Sequence, residues 1–251
     1  MLHNRGMRST LFLLLALPLA AEDLAISGIS HVAFRVSDLD AARGFYTKLL
    51  GIPEAFQMSR PTGEISIAFL QVNDSQYIEL QPGLAAGENV RMTHISLETP
   101  DAPRLREQLV TRGLEPTEMT AGRDGNRAFR LKDSEGNQLE FTEYLAGGKH
   151  AQARGKLASA PRISSRLTHG GILVESAYVE RALAFYRDKM GFVETWRGGP
   201  ENGPLRWINL KRASVADFKA PVRIAASFHC LHVRGHGSAT DIFREHPRSA
   251  Q

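Results

Sequence analysis

The feature that most constrains this chain is a short apolar strand pattern with a histidine near its start, and it occurs three times. The copies are Ile29-Ser30-His31-Val32-Ala33-Phe34-Arg35-Val36, Arg91-Met92-Thr93-His94-Ile95-Ser96-Leu97 and Leu167-Thr168-His169-Gly170-Gly171-Ile172-Leu173-Val174. Such self-similarity means one supersecondary unit used repeatedly, so the fold has to be read as an array of that unit.

The first copy alternates, with Ile29, His31, Ala33 and Arg35 on one face and Ser30, Val32, Phe34 and Val36 on the other. The second face is the more apolar and is expected to meet a helix, which leaves His31 on a concave side. Ser37 or Asp38 can cap that helix, Ala42, Phe45, Tyr46, Leu49 and Leu50 form its apolar stripe, and Gly51 ends it. Strands follow near Ala55 to Ser59, Ile65 to Val72 and Gln76 to Gln81, giving a βαβββ unit.

The second unit repeats this order. Its helix, introduced by Pro100 and Asp101, carries Leu105, Leu109 and Val110 and stops at Gly113, and its strands lie near Glu115 to Met119, Arg127 to Leu131 and Gln138 to Tyr144. Gly51, Gly113 and Gly191 follow their histidines by 20, 19 and 22 residues, and Phe45-Tyr46 recurs as Phe185-Tyr186. The third unit begins in the same way, with a helix near Tyr178 to Met190 and strands at Phe192 to Trp196 and Leu205 to Leu210. Beyond Lys211 no final strand is evident.

The expected organisation is therefore α+β: paired βαβββ modules forming a cupped mixed sheet with helices on its outer face, plus a partial third module. Module 1 is 28–83, module 2 is 90–145, 146–165 is a solvated linker and 166–211 is the partial module. The basic tail 212–251 is either a divergent extension or the product of a shifted reading frame near Lys211, and the abrupt loss of pattern favours the second. Unpaired apolar sheet in the third module would favour self-association or instability.

Chemistry enters on the concave face. Alternation in the fourth strands puts Tyr77, Glu79 and Gln81, and then Gln138, Glu140, Thr142 and Tyr144, on the side of the histidines. Each full module thus offers one histidine and one glutamate: His31 with Glu79 and His94 with Glu140. Imidazole and carboxylate together suit Zn, Ni, Fe(II), Mn or Co. The βαβββ pair with this His/Glu/His/Glu set resembles the vicinal oxygen chelate superfamily, which includes glyoxalase I, methylmalonyl-CoA epimerase, extradiol dioxygenases and bleomycin or fosfomycin resistance proteins. The resemblance covers Gly28 to Leu145 and, in part, His169 to Leu210. It implies a divalent metal held by His31, Glu79, His94 and Glu140, with Glu79 or Glu140 as the catalytic base.

Three functions are open on this reading: a glyoxalase- or epimerase-like lyase or isomerase working through a metal-chelated enolate, an extradiol-type dioxygenase, and a metal-free small-molecule binder of the bleomycin-resistance kind. Arg35, Tyr77, Glu98, Arg123 and Arg127 are further candidates to touch a small-molecule substrate. His169 has no glutamate on a recognisable fourth strand, Asp217 being the nearest substitute, and His229, Cys230, His232 and His236 lie where the pattern is lost.

The formal net charge of +4 is not gathered into a basic run with interleaved aromatics, which speaks against nucleic-acid binding. Arg5 and Arg8 precede the apolar run Leu11 to Leu19, followed by Ala20, Ala21 and the acidic Glu22-Asp23. That is the layout of a secretory signal peptide over residues 1–21, too short for an ordinary membrane span, so the protein is expected to be exported with no stable span after cleavage. The single cysteine, Cys230, excludes an intramolecular disulfide.

Overall fold

The computed structural model describes residues 23–157, 161–201, 205–212 and 223–227. Module 1 contains β1 (Gly28–Val36), α1 (Leu39–Gly44, continuing as a wide helical turn over Phe45–Leu49), β2 (Glu54–Ser59), β3 (Ile65–Gln71) and β4 (Tyr77–Pro82). Module 2 contains β5 (Met92–Glu98), α2 (Ala102–Thr111), β6 (Thr120–Ala121), β7 (Arg127–Lys132) and β8 (Gln138–Glu143). Their eight strands form one sheet in the order β2-β3-β4-β1-β5-β8-β7-β6. The two histidine strands lie side by side at its middle and run antiparallel, with His31 opposite Ser96 and Ala33 opposite His94.

The local signals explain most of these boundaries. Asp38 and Asp101 cap their helices by accepting from the amides of Ala41 and Arg104. Gly51, Gly113 and Gly191 end the helices of the three modules at φ of 69°, 70° and 70°, the left-handed conformation that a side chain resists. A Cβ on Gly51 would also lie 2.4 Å from the Pro161 carbonyl, so the chain after module 2 packs on this turn. The Phe-Tyr pairs share a conformation too: Leu50 N–H donates to Phe45 O and Met190 N–H to Phe185 O, each a five-residue turn within a helix.

Three local expectations are corrected. Ile29 does not share the face of His31, because a β-bulge between them sets two residues of β1 against one of β5 and turns Ile29 into the core. Phe45 and Leu49 are exposed, since the wide turn leaves only Leu39, Ala42, Tyr46 and Leu50 facing the sheet. Glu115 to Met119 is not a strand: Pro116 has no amide to give, and only Thr120–Ala121 pairs regularly with β7.

The third module comprises β9 (His169–Leu173), a short turn at Ser176–Tyr178, α4 (Val179–Leu183, continuing over Ala184–Lys189), β10 (Phe192–Gly198), β11 (Trp207–Arg212) and β12 (Arg223–Ser227). Its sheet runs β10-β11-β12-β9, the order of module 1. The fourth strand not evident in the sequence is β12, antiparallel to β11 and parallel to β9. Asp217 and the group His229, Cys230, His232 and His236 lie outside the described residues.

This module packs against the outer, convex face of the large sheet. Ile172, Leu183, Tyr186 and Leu210 share one apolar cluster with Ile95, Leu97, Leu105 and Phe141. The approach at Gly170 is close enough that a Cβ would meet the Ile95 side chain at 2.6 Å. Tyr186 donates to Asp133, and the buried Arg212 donates to the carbonyls of Met190 and Leu24. Leu24 and Ile26 are themselves buried in this cluster, so the segment before β1 belongs to the joint.

Between modules 2 and 3 lies α3 (Lys149–Ala153). It is not a free linker: His150 and Ala153 are buried against the concave face.

Candidate metal centre

The antiparallel β1–β5 seam brings both histidines to the floor of the cup, and the parallel pairs β1–β4 and β5–β8 bring one glutamate beside each. Glu79 lies opposite Ala33 and Glu140 opposite Ser96, each two residues past its histidine. All four side chains are buried, with exposures of 3% to 8%. His31 Nε2 is 3.0 Å from His94 Nε2, 3.2 Å from Glu79 Oε2 and 3.4 Å from Glu140 Oε1. His94 Nε2 is 4.0 Å and 3.8 Å from the same two oxygens.

Those separations fit a shared ion. Ligand atoms at about 2.0 to 2.2 Å from a metal lie about 3 Å apart at right angles and about 4 Å apart when opposed. The other ring nitrogens are fixed by hydroxyls, Ser30 Oγ at 3.4 Å from His31 Nδ1 and Thr93 Oγ1 at 3.1 Å from His94 Nδ1. An Nδ1–H given to a hydroxyl leaves the Nε2 lone pair directed at its neighbours, the tautomer a metal requires. His31, His94 and Glu140 form the tightest group, with one ligand atom of each within 4.8 Å of the others, and Glu79 flanks it. The donor set therefore fits a divalent metal.

Electrostatics set the two carboxylates apart. Burial acts against charge on His31, yet Glu140 and Glu79 outweigh it and raise its pKa above the ordinary 6.5. Burial and the nearby His31 charge push His94 down to about 3. Burial raises the Glu79 carboxyl above its ordinary 4.5, whereas Glu140, buried as well, is held well below it by His31, His94 and Arg130. Glu79 accepts from Gln81 at 2.5 Å, and Glu140 accepts from Arg130 at 3.0 Å and Thr142 at 3.1 Å.

A cavity of about 170 Å³ adjoins the four residues. Of the residues expected to touch substrate, Arg123 lines it, reaching across the cup to donate to Ser59 O and Ser66 Oγ of module 1. The other four do not line it. Arg35 pairs with Glu88 at the rim, and Tyr77 is fully buried, with its hydroxyl donating to the His150 carbonyl. Glu98 sits opposite Gly28 at the far end of the seam. Arg127 is on the convex side, where it pairs with Glu143, the residue that also accepts from the first amide of α2.

The residue missed on that strand is Arg130, which lines the cavity and faces Glu140 across the β7–β8 ladder. Period-two alternation from Ala128 would have found it. His150, Asp124 and Asn126 were also missed, and the linker carries no periodicity to reveal the first.

Residues 28–141 match the profile of the Glyoxalase/Bleomycin resistance protein/Dioxygenase superfamily. That stretch is a domain of this superfamily. Among solved structures, a variant of homoprotocatechuate 2,3-dioxygenase from B. fuscum is 19% identical with a TM-score of 0.58, covering 84% of this chain and 55% of its own. The chain thus spans about half the length of that dioxygenase, and the likeness is one of fold. Methylmalonyl-CoA epimerase from Mycobacterium tuberculosis is 20% identical with a TM-score of 0.42, over 51% of this chain and 94% of its own. The comparison with curated proteins found no match. Among the described residues, no helix is long and apolar enough to cross a membrane.

Proposed function

We propose that the protein is a divalent-metal-dependent lyase or isomerase that moves a proton on the carbon beside a carbonyl of a small oxygenated substrate. The observation that carries this reading is the fourth ligand. His31, His94 and Glu140 form a group that could hold an ion, and Glu79 adds a second carboxylate, bonded to Gln81 where Glu140 is bonded to Arg130. A bound divalent ion supplies Lewis-acid polarisation of substrate oxygens. Glu140, bonded to the Arg130 guanidinium and the Thr142 hydroxyl, serves as a permanent ligand. Glu79, which lines the cavity and accepts from the neutral Gln81 amide, is the base that takes the proton and returns it. Arg123 stands at the wall where it can orient the substrate.

The test uses the metal-loaded protein in deuterated water with small 2-oxo and 2-hydroxy carbonyl compounds. Exchange of the proton next to the carbonyl, lost in Glu79→Gln with metal retained, is expected. Absence of exchange across the panel would remove this reading.

A dioxygenase is the second reading, favoured by the compact His31, His94 and Glu140 group, which is the two-histidine, one-carboxylate set of non-haem iron oxygenases. It predicts oxygen uptake with Fe(II) and a catechol. Export is also part of the proposal: removal of 1–21 would leave every residue described in the fold intact, because the buried joint begins with Leu24. Sequencing the mature N-terminus checks it, and a start at Met1 in the exported fraction would count against cleavage.

A further inference from the structure

The cup of the large sheet is wider than its cavity, and the difference is filled by the chain itself. The imidazole of His150 lies inside a box of four aromatic rings on the module 1 side. It stacks on Tyr144 at 4.5 Å and meets Tyr77, Phe56 and Phe69 edge-to-face at 4.5, 4.8 and 5.0 Å. Phe69 is shared with the cavity wall, so His150 stands directly behind it.

The imidazole is held in place. Asn126 Oδ1 accepts from the Leu145 amide, which directs the Asn126 amide nitrogen to His150 Nδ1 at 2.8 Å and to Asp124 at 2.7 Å. Nδ1 thus faces both the Asn126 amide and, at 3.3 Å, the Asp124 carboxylate, while Nε2 is buried among the rings and has no hydrogen-bond partner. The helix is anchored as well, Lys149 N–H donating to Asp124 O and Gln71 Nε2 to Ala153 O. This is a fixed filling.

What remains beside the metal ligands is a cavity of about 170 Å³, below the usual range for drug-sized ligands. The wall has a sign. A dication would cancel Glu79 and Glu140, and Arg123 and Arg130 then outnumber Asp124 around the cavity. Arg123 is bonded there to neutral acceptors.

We propose that α3 and His150 are a built-in stopper that restricts the metal site to small ligands, and that Arg123 favours those bearing a carboxylate. This rests on the metal reading above and adds the ligand class to it.

The experiment loads the full chain with Co(II) and follows its visible absorption during titration with glycolate, pyruvate, hydroxyacetone and catechol. Glycolate and pyruvate are expected to shift the spectrum saturably, while catechol at the same concentrations leaves it unchanged. Arg123→Ala should weaken glycolate about tenfold and leave hydroxyacetone unmoved, and His150→Gly should admit catechol. Should His150→Gly not fold, the ligand series on the unaltered protein still decides. A catechol response there as strong as that of glycolate overturns the stopper while leaving the metal reading intact. Failure of Co(II) to bind at all overturns the metal reading, and this inference with it.

Discussion

The molecule carries its repeat in two settings, and they differ at one register position. In modules 1 and 2 the residue two places after the histidine faces a glutamate on the fourth strand, Glu79 or Glu140. In the third module the same position, Gly171, faces Ala225. The histidine strands differ as well: β1 and β5 pair with each other and bury His31 and His94, whereas β9 is an edge strand and His169 is exposed. A metal site in this architecture therefore needs both a carboxylate opposite the histidine and a second module across the seam. The third module has kept its outer, helix-bearing face and put it to structural use. Its open face still displays Leu173, Val193, Trp196 and Trp207.

The largest expected effect tests that division directly. His94→Ala should lower bound metal from one ion per chain towards none by elemental analysis, while His169→Ala leaves the stoichiometry unchanged. Equal losses in the two variants would erase the distinction drawn between the modules. Core truncation comes next. Leu97→Ala, in the shared apolar cluster, should cost about 2 to 5 kcal/mol in denaturant unfolding. Leu173→Ala, on the exposed face of β9, should stay within about 0.5 kcal/mol, and a cost as large as that of Leu97→Ala would mean the face is covered in solution.

A third effect concerns orientation of the ligand ring. Thr93→Val removes the hydroxyl at His94 Nδ1 and should weaken metal binding about 10- to 100-fold in a chelator competition. An unchanged affinity would show that the ring is held by packing alone.

The smallest effect has a sign that depends on the metal. The pKa of His31 lies above 6.5, so in the metal-free protein its ion pairs with the carboxylates stabilise the fold below pH 6.5. That contribution is lost as pH rises through the raised value. Metal requires the neutral ring, so metal-dependent stabilisation runs the other way and fades as pH falls through the same range. Melting curves between pH 6 and 8.5 should therefore slope downward with chelator and upward with metal. Parallel slopes would place His31 outside the site.

Much of the site was legible because repetition supplied an internal control: three histidines in phase and two glutamates on equivalent strands need no tertiary information. Alternation carried His31 and Glu79 to one face, although it misplaced Ile29, because a bulge inserts a residue without any mark in composition. Arg127 was singled out for flanking the Gly122 to Gly125 turn without regard to alternation, and the ladder turns it to the convex side while Arg130 faces Glu140. β12 escaped notice because it was sought by a glutamate and bulky alternating residues, and Arg223-Ile224-Ala225-Ala226-Ser227 offers neither. His150 had no local signal at all. Its role arises only from the four rings that four separate chain segments bring around it.

The tie between Arg212 and the Leu24 carbonyl joins residues 188 positions apart. In a chain synthesised from its N-terminus, Leu24 and Ile26 emerge early and then wait, with their apolar surface unsheltered, until β11 has been made. The two modules that hold the candidate metal centre cannot seal their convex side alone, and the module without a ligand set decides when the whole becomes safe from aggregation.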